Sequence, residues 1–175
     1  MESDSLRELF LIRHAKTNWD ETDENGQHPL SQKGKKQAYQ LGEWMKSKNI
    51  LPDAVFMSSD IRAIQTFRRL KLNSSSTYSE KNSSLVEASI FDLVHFLASI
   101  PEQYKKVAII AHAPGLEDLV EYLESGEQCT NKDSCLFPAA SLAHFVMPHS
   151  WQSLPQNSAK LLQFIRPKDM LKHSS

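Results

Sequence analysis

The chain has 175 residues, 40% hydrophobic and 23% charged, the make-up of a globular protein of single-domain size able to bury roughly 70% of its unfolded surface. Lys and Arg number 20 against 21 Asp and Glu, a net charge of −1, so no global field draws nucleic acid or an anionic membrane and any anion binding has to come from a local cluster. No apolar run approaches the ~20 residues of a membrane span, and MESDSLRE at the N-terminus lacks a basic segment followed by an apolar core, so the expectation is a cytoplasmic protein without a secretory signal.

The first element is ELFLI (8–12), a strand by its near-continuous apolar run. It ends in Arg13-His14-Ala15-Lys16-Thr17, and WDETDENGQHP (19–29) follows as a loop. SQKGKKQAYQLGEWMKSK (31–48) predicts a helix with Ser31 as N-cap and Ala38, Leu41, Trp44 and Met45 on one stripe. AVFM (54–57) reads as a second buried strand ending in Ser58 and Ser59, and DIRAIQTFRRL (60–70) as a helix with Ile61, Ile64 and Phe67 on its apolar side and Arg62 at its start. NSSSTYSEKNSS (73–84) reads as a solvated loop.

SIFDLVHFLASI (89–100) predicts a helix that opens on Ser89 and stops before Pro101. VAIIA (107–111) is a third buried strand, leading into His112 and the turn of AHAPG; GLEDLVEYL (115–123) then carries Leu116, Leu119, Val120 and Leu123 on one helical side. ESGEQCTNKDSCLFP (124–138) is a loop. Its Cys129 and Cys135 match no metal or redox spacing and read as reduced thiols. LAHFVM (142–147) and LLQFI (161–165) mix apolar with polar residues and suit antiparallel or edge positions.

Strands separated by helices imply βαβ units. The expected fold is an α/β three-layer sandwich of one domain (1–175, core about 8–171), with a mostly parallel sheet, helices on both faces, an antiparallel edge strand and no cap domain. In such sheets ligands bind outside the carboxyl ends of the strands. There the chain places Arg13 and His14, then Arg62, then His112 with a helix start. Arginine forks and free helix N–H groups suit phosphate oxygens. A histidine kept neutral by nearby arginines is a nucleophile near pH 7, able to attack phosphorus in line and give a phosphoenzyme.

LIRHAKT, the SS turn with RAIQT, and AHAPG resemble the three signature segments of the histidine phosphatase superfamily. HPLSQKGKKQA (28–38), SLVEAS (84–89) and WQSLPQNSAKLLQFIRPKDM (151–170) are similar to its short phosphohistidine phosphatase branch, so the likeness runs from about residue 8 to 171. It implies that His14 accepts the phosphoryl group, that Arg13, Arg62 and His112 form the phosphate pocket, and that Glu87 falls where many members hold a proton donor. Ser59 stands where proline is usual, and Ala113 replaces the commoner asparagine. Neither change removes a core catalytic group.

The expected activity is metal-independent hydrolysis of phosphohistidine on a protein, with no cofactor, no nucleic-acid or membrane partner, and a monomeric enzyme. The short connection between Arg62 and His112 leaves no room for a cap that would read a small metabolite. Two alternatives stay open: a phosphatase or mutase acting on a sugar or nucleotide phosphate, and a silent phosphate-binding module. His95 and His144 read as hydrogen-bonded packing residues, Arg68-Arg69 as a solvated helix end, and Trp19 as a packing residue that follows the catalytic turn and borders the site.

Overall fold

A computed structural model describes residues 6–124, 126 and 136–171; the reading of Cys129 and Cys135 concerns residues outside that set. Six strands, β1 (Arg7–Arg13), β2 (Ala54–Ser58), β3 (Tyr78–Asn82), β4 (Lys106–Ala111), β5 (Leu142–Met147) and β6 (Lys160–Ile165), form one sheet in the order β3-β2-β4-β1-β5-β6. β1, β2, β3 and β4 pair in parallel, whereas β5 runs antiparallel to both β1 and β6. The mixed-polarity segments thus occupy the antiparallel side that their patterning indicated.

Helices α1 (Gln32–Ser47), α2 (Ile61–Leu70), α3 (Ile90–Ala98), α4 (Gly115–Leu123) and the short α5 (Pro167–Met170) cover the sheet. Each of the first three starts at a polar cap. Ser31 accepts from Gly34 N–H, Asp60 accepts from Arg62 N–H, and Ser89 and Asp92 form a reciprocal capping box.

Alternate residues of β1 feed two different cores, as the period of a strand requires. Leu9 and Leu11 join Phe56, Val107 and Ile109 beneath Leu93, Leu97, Leu116 and Leu119 of α3 and α4. Phe10 and Ile12 join Val55, Met57, Ala108 and Ile110 beneath Leu41, Met45, Ala63 and Phe67 of α1 and α2. Each such Leu, Ile, Val, Phe or Met side chain stabilises the fold by about 1.5–3 kcal/mol relative to exposure, and burial on both faces makes β1 and β4 the rigid centre from which the site projects.

Two readings from the sequence are corrected. The span 73–84 is not all loop, because it contains β3 and a 3₁₀ turn at 83–85. β3 has the polar sequence YSEKN and is recruited by backbone pairing with β2 rather than by apolar burial. His95 is exposed on α3 instead of packed. His144 is buried as expected, its Nε2 2.6 Å from Glu8 Oε2 and its ring against Phe10. Among the described residues no helix is long and apolar enough to cross a membrane.

Candidate active site

β2, β4 and β1 lie side by side and end at the same side of the sheet, so the segments that follow them converge. The Arg13-His14 backbone is gripped from two directions. Arg13 N–H donates to Ser141 O (3.1 Å), His14 N–H to Ala111 O at the end of β4 (3.1 Å), and Ala140 N–H to His14 O (3.2 Å). The next turn rests on α1: a Cβ at Gly34 would lie 2.2 Å from Lys16 O, so a glycine is needed for that approach. Ser31 N–H secures the contact by donating to Lys16 O (2.9 Å).

A cleft of about 330 Å³ opens above these strand ends, lined by Arg13, His14, Arg62, Glu87 and His112, with Lys16, Thr17, Trp19, Ala113 and Ala139 completing it. The five residues singled out from the sequence therefore meet in one place, and Trp19 borders them.

His14 Nδ1 lies 2.8 Å from Ala15 O. A carbonyl only accepts, so Nδ1 carries the proton and Nε2 keeps its lone pair. Burial, reinforced by Arg62, His112 and Arg13 and opposed by the Ala15 carbonyl, pushes the His14 pKa down to about 4. The ring is neutral at pH 7. The His112 ring sits 5.1 Å from it, centroid to centroid, with Nε2 2.8 Å from Ser58 Oγ. Burial also lowers the His112 pKa, with Asp60 opposing and Arg62 adding.

Arg62 is held by Asp60, its Nε and Nη2 donating to Oδ1 (2.9 Å) and Oδ2 (2.8 Å). That fork raises the Arg62 pKa against its burial. Burial alone would favour a protonated Asp60, but the hydrogen bonds from Arg62 outweigh it and hold the carboxyl below its ordinary range. Arg13 donates through Nη1 to Phe137 O (2.7 Å); burial lowers its pKa, Glu117 opposes, and the like charge of Arg62 adds. Glu87 is exposed on the cleft lining, has a left-handed backbone (φ 47), and acts on Arg62 and His112 by charge.

Ser58, Asp60 and Thr66 support these groups and were not singled out from the sequence. Thr66 Oγ1 accepts from Ala15 N–H (2.9 Å) and donates to Arg62 O (2.7 Å). It thereby joins Ala15, the residue whose carbonyl fixes the His14 tautomer, to the turn of helix that carries Arg62. The four-residue spacing from Arg62 to Thr66 was an available signal, since helical threonines return their hydroxyl to the carbonyl four residues back. Among the described residues no group of three or more His, Cys, Asp or Glu is arranged to hold a metal ion. Paired arginines beside a neutral, oriented imidazole can bind a tetrahedral anion and attack its central atom.

A protein-family model described as "Histidine phosphatase superfamily (branch 1)" matches residues 9–130. A SixA-type structure from Nakamurella multipartitia superposes with a TM-score of 0.80 at 21% identity, covering 93% of this chain and 97% of that one. The protein histidine phosphatase SixA complexed with tungstate gives 0.75 at 21% identity, covering 93% and 99%. At such identities the likeness is one of fold. The 2,3-bisphosphoglycerate-dependent phosphoglycerate mutase of Bifidobacterium longum is 43% identical over 61 residues, 33% of this chain, and the match spans only 25% of the mutase.

Proposed function

Because the chain belongs to the histidine phosphatase superfamily, we propose that it is a phosphohistidine phosphatase that works through a phosphorylated His14. The observation that carries this reading is the state of His14: neutral, with Nδ1–H donated to Ala15 O and Nε2 unprotonated in a cleft shared with Arg13 and Arg62.

The phosphoryl group sits on Arg13, Arg62 and His112, which take up the charge of its equatorial oxygens as the transition state forms. His14 Nε2 attacks phosphorus in line. The bond to the leaving group breaks on the opposite side, and the leaving group departs with that electron pair. The Ala15 carbonyl, already bonded to Nδ1–H, stabilises the positive charge that develops on the ring. Water then attacks phosphorus, the P–N bond breaks, and the electron pair returns to Nε2 as phosphate leaves. Glu87 protonates leaving groups that need it. The positive charge is supplied by side chains, so the reaction calls for no metal and no cofactor.

Protein phosphohistidine is the favoured substrate because the cleft is small and, among the described residues, uncapped, which suits a side chain presented on another protein's surface. The fold likeness to the SixA structures supports the same choice.

The test is to mix the enzyme with a ³²P-labelled phosphohistidine protein, with and without a strong chelator, and quench. The expected result is label on the enzyme that survives alkali and not acid, is unaffected by the chelator, and is absent from His14→Ala. Full turnover by His14→Ala would end the nucleophile role, and no turnover of any phosphorylated substrate would leave a binding module. A sugar or nucleotide phosphate with a kcat/KM about a hundredfold above that of the phosphoprotein would replace the substrate assignment.

A further inference from the structure

Trp19 lines the cleft yet is 66% exposed, whereas Trp44 and Trp151 are buried in the core. Its position is built rather than incidental. Thr17 bridges Leu30, and Asn18 N–H donates to Pro29 O (2.8 Å), pinning the chain just before it. Asp20 N–H donates to Asn18 Oδ1 (3.1 Å), so Trp19 stands at the corner of a side-chain-closed turn. The loop is tied to α2 at two further points: Ile61 N–H donates to Gln27 Oε1 (2.9 Å), and Leu30 N–H donates to Gln65 Oε1 (2.7 Å).

The indole touches His28 (ring centroids 5.0 Å apart) and the Arg62 guanidinium (5.7 Å from Cζ to the ring centroid). Arg62 is itself clamped by Asp60. The ring is therefore fixed relative to the phosphate-binding arginine, and most of its surface remains open.

We propose that Trp19 is the platform for the leaving group, and that the site takes phosphoryl groups carried on a planar ring, above all an imidazole. This rests on the reading of the cleft as a phosphatase site. In-line attack from His14 drives the leaving group out of the cleft, and the large apolar side chain of the lining, 66% exposed, is Trp19. A ring on that path gains stacking against the indole, and a protonated imidazole gains cation–π attraction as well. An alkyl leaving group such as that of phosphoserine gains neither. Trp19 thus supplies selectivity that the phosphate contacts, identical for every phosphomonoester, cannot.

The experiment titrates the full-length wild type, Trp19→Ala and Trp19→Phe calorimetrically with phenylphosphonate, methylphosphonate and inorganic phosphate, none of which turns over. The expected result is that wild type prefers the phenyl over the methyl probe by roughly 2- to 12-fold, the range of an aromatic pair. Trp19→Ala should abolish the preference, Trp19→Phe should keep most of it, and all three proteins should bind inorganic phosphate alike, which also reports that the variants fold. An undiminished preference in Trp19→Ala overturns the proposal. So does an equal loss for all three ligands, which would mean that Trp19 only steadies Arg62. If wild type binds none of the three anions, the phosphate site itself has been misread and the proposal falls with it.

Discussion

Ser58 Oγ lies 2.8 Å from His112 Nε2 and also accepts Asp60 N–H at 3.2 Å, and Ser58 is fully buried. The hydroxyl hydrogen has one partner that satisfies it, Nε2, because no other acceptor bonds it among the described residues. Ser58 therefore donates to Nε2, and the proton of the neutral His112 ring resides on Nδ1. Ser58→Ala should slow turnover by roughly 2- to 12-fold, the worth of one hydrogen bond, and should shift the His112 ring ¹⁵N resonances towards the Nε2–H tautomer. Unchanged resonances would show that the contact does not govern the ring.

Thr66 works through a neighbour. Its hydroxyl accepts from Ala15 N–H, and the Ala15 carbonyl holds His14. Thr66→Val keeps the shape but leaves a buried N–H unpaired, which costs about 1–3 kcal/mol. Urea unfolding should show that loss, together with slower turnover, and Thr66→Ser should restore both. An intact Thr66→Val beside a damaged Thr66→Ser would assign the role to the threonine methyl instead.

These supporting residues show what the sequence left unread. Strand ends, helix caps and the Arg13, His14, Arg62 and His112 cluster were legible because apolar runs, cap residues and adjacent motifs are local signals. The long-range partners of Ser58 and Thr66, His112 and Ala15 N–H, were not, since each hydroxyl meets them only after distant segments pack together, whereas the bonds of Asp60 and Thr66 to Arg62 are local. Glu87 was legible as a residue but not in its left-handed backbone, which is set by the turn between the 3₁₀ segment and α3.

Imidazole resonances followed by NMR should titrate with a midpoint at about 4 for His14 and below 6.5 for His112. An unfolded chain takes up these protons near 6.5, whereas the folded chain resists until the lower values. The stability linked to the neutral rings is thus fully present above 6.5 and is lost as pH falls towards 4. A His14 midpoint near 6.5 would remove the argument for its neutrality.

Glu87→Gln should separate substrates. An alkyl phosphate needs its leaving oxygen protonated, and general acid help is worth about 10²–10⁴-fold. A phosphohistidine ring can take its proton on the other ring nitrogen from solvent and then leave as neutral imidazole, so its hydrolysis should change little. Paired kcat/KM values on a phosphoserine peptide and a phosphohistidine protein decide the matter. Equal losses would make Glu87 structural, and no loss on either would remove it from the site.

β3 ends the sheet, and its outer flank is a row of backbone donors and acceptors of the kind that captures strands from other chains. Tyr78, Glu80 and Asn82 share one face there, with the Tyr78 hydroxyl (2.5 Å) and Asn82 Nδ2 (3.1 Å) both donating to the Glu80 carboxylate, while Lys81 projects from the other. A strand added alongside would have to desolvate that carboxylate and the lysine together. The polarity that hides β3 among loop residues is therefore a guard against intermolecular sheet growth, placed on the flank of the molecule where the parallel strands would otherwise continue.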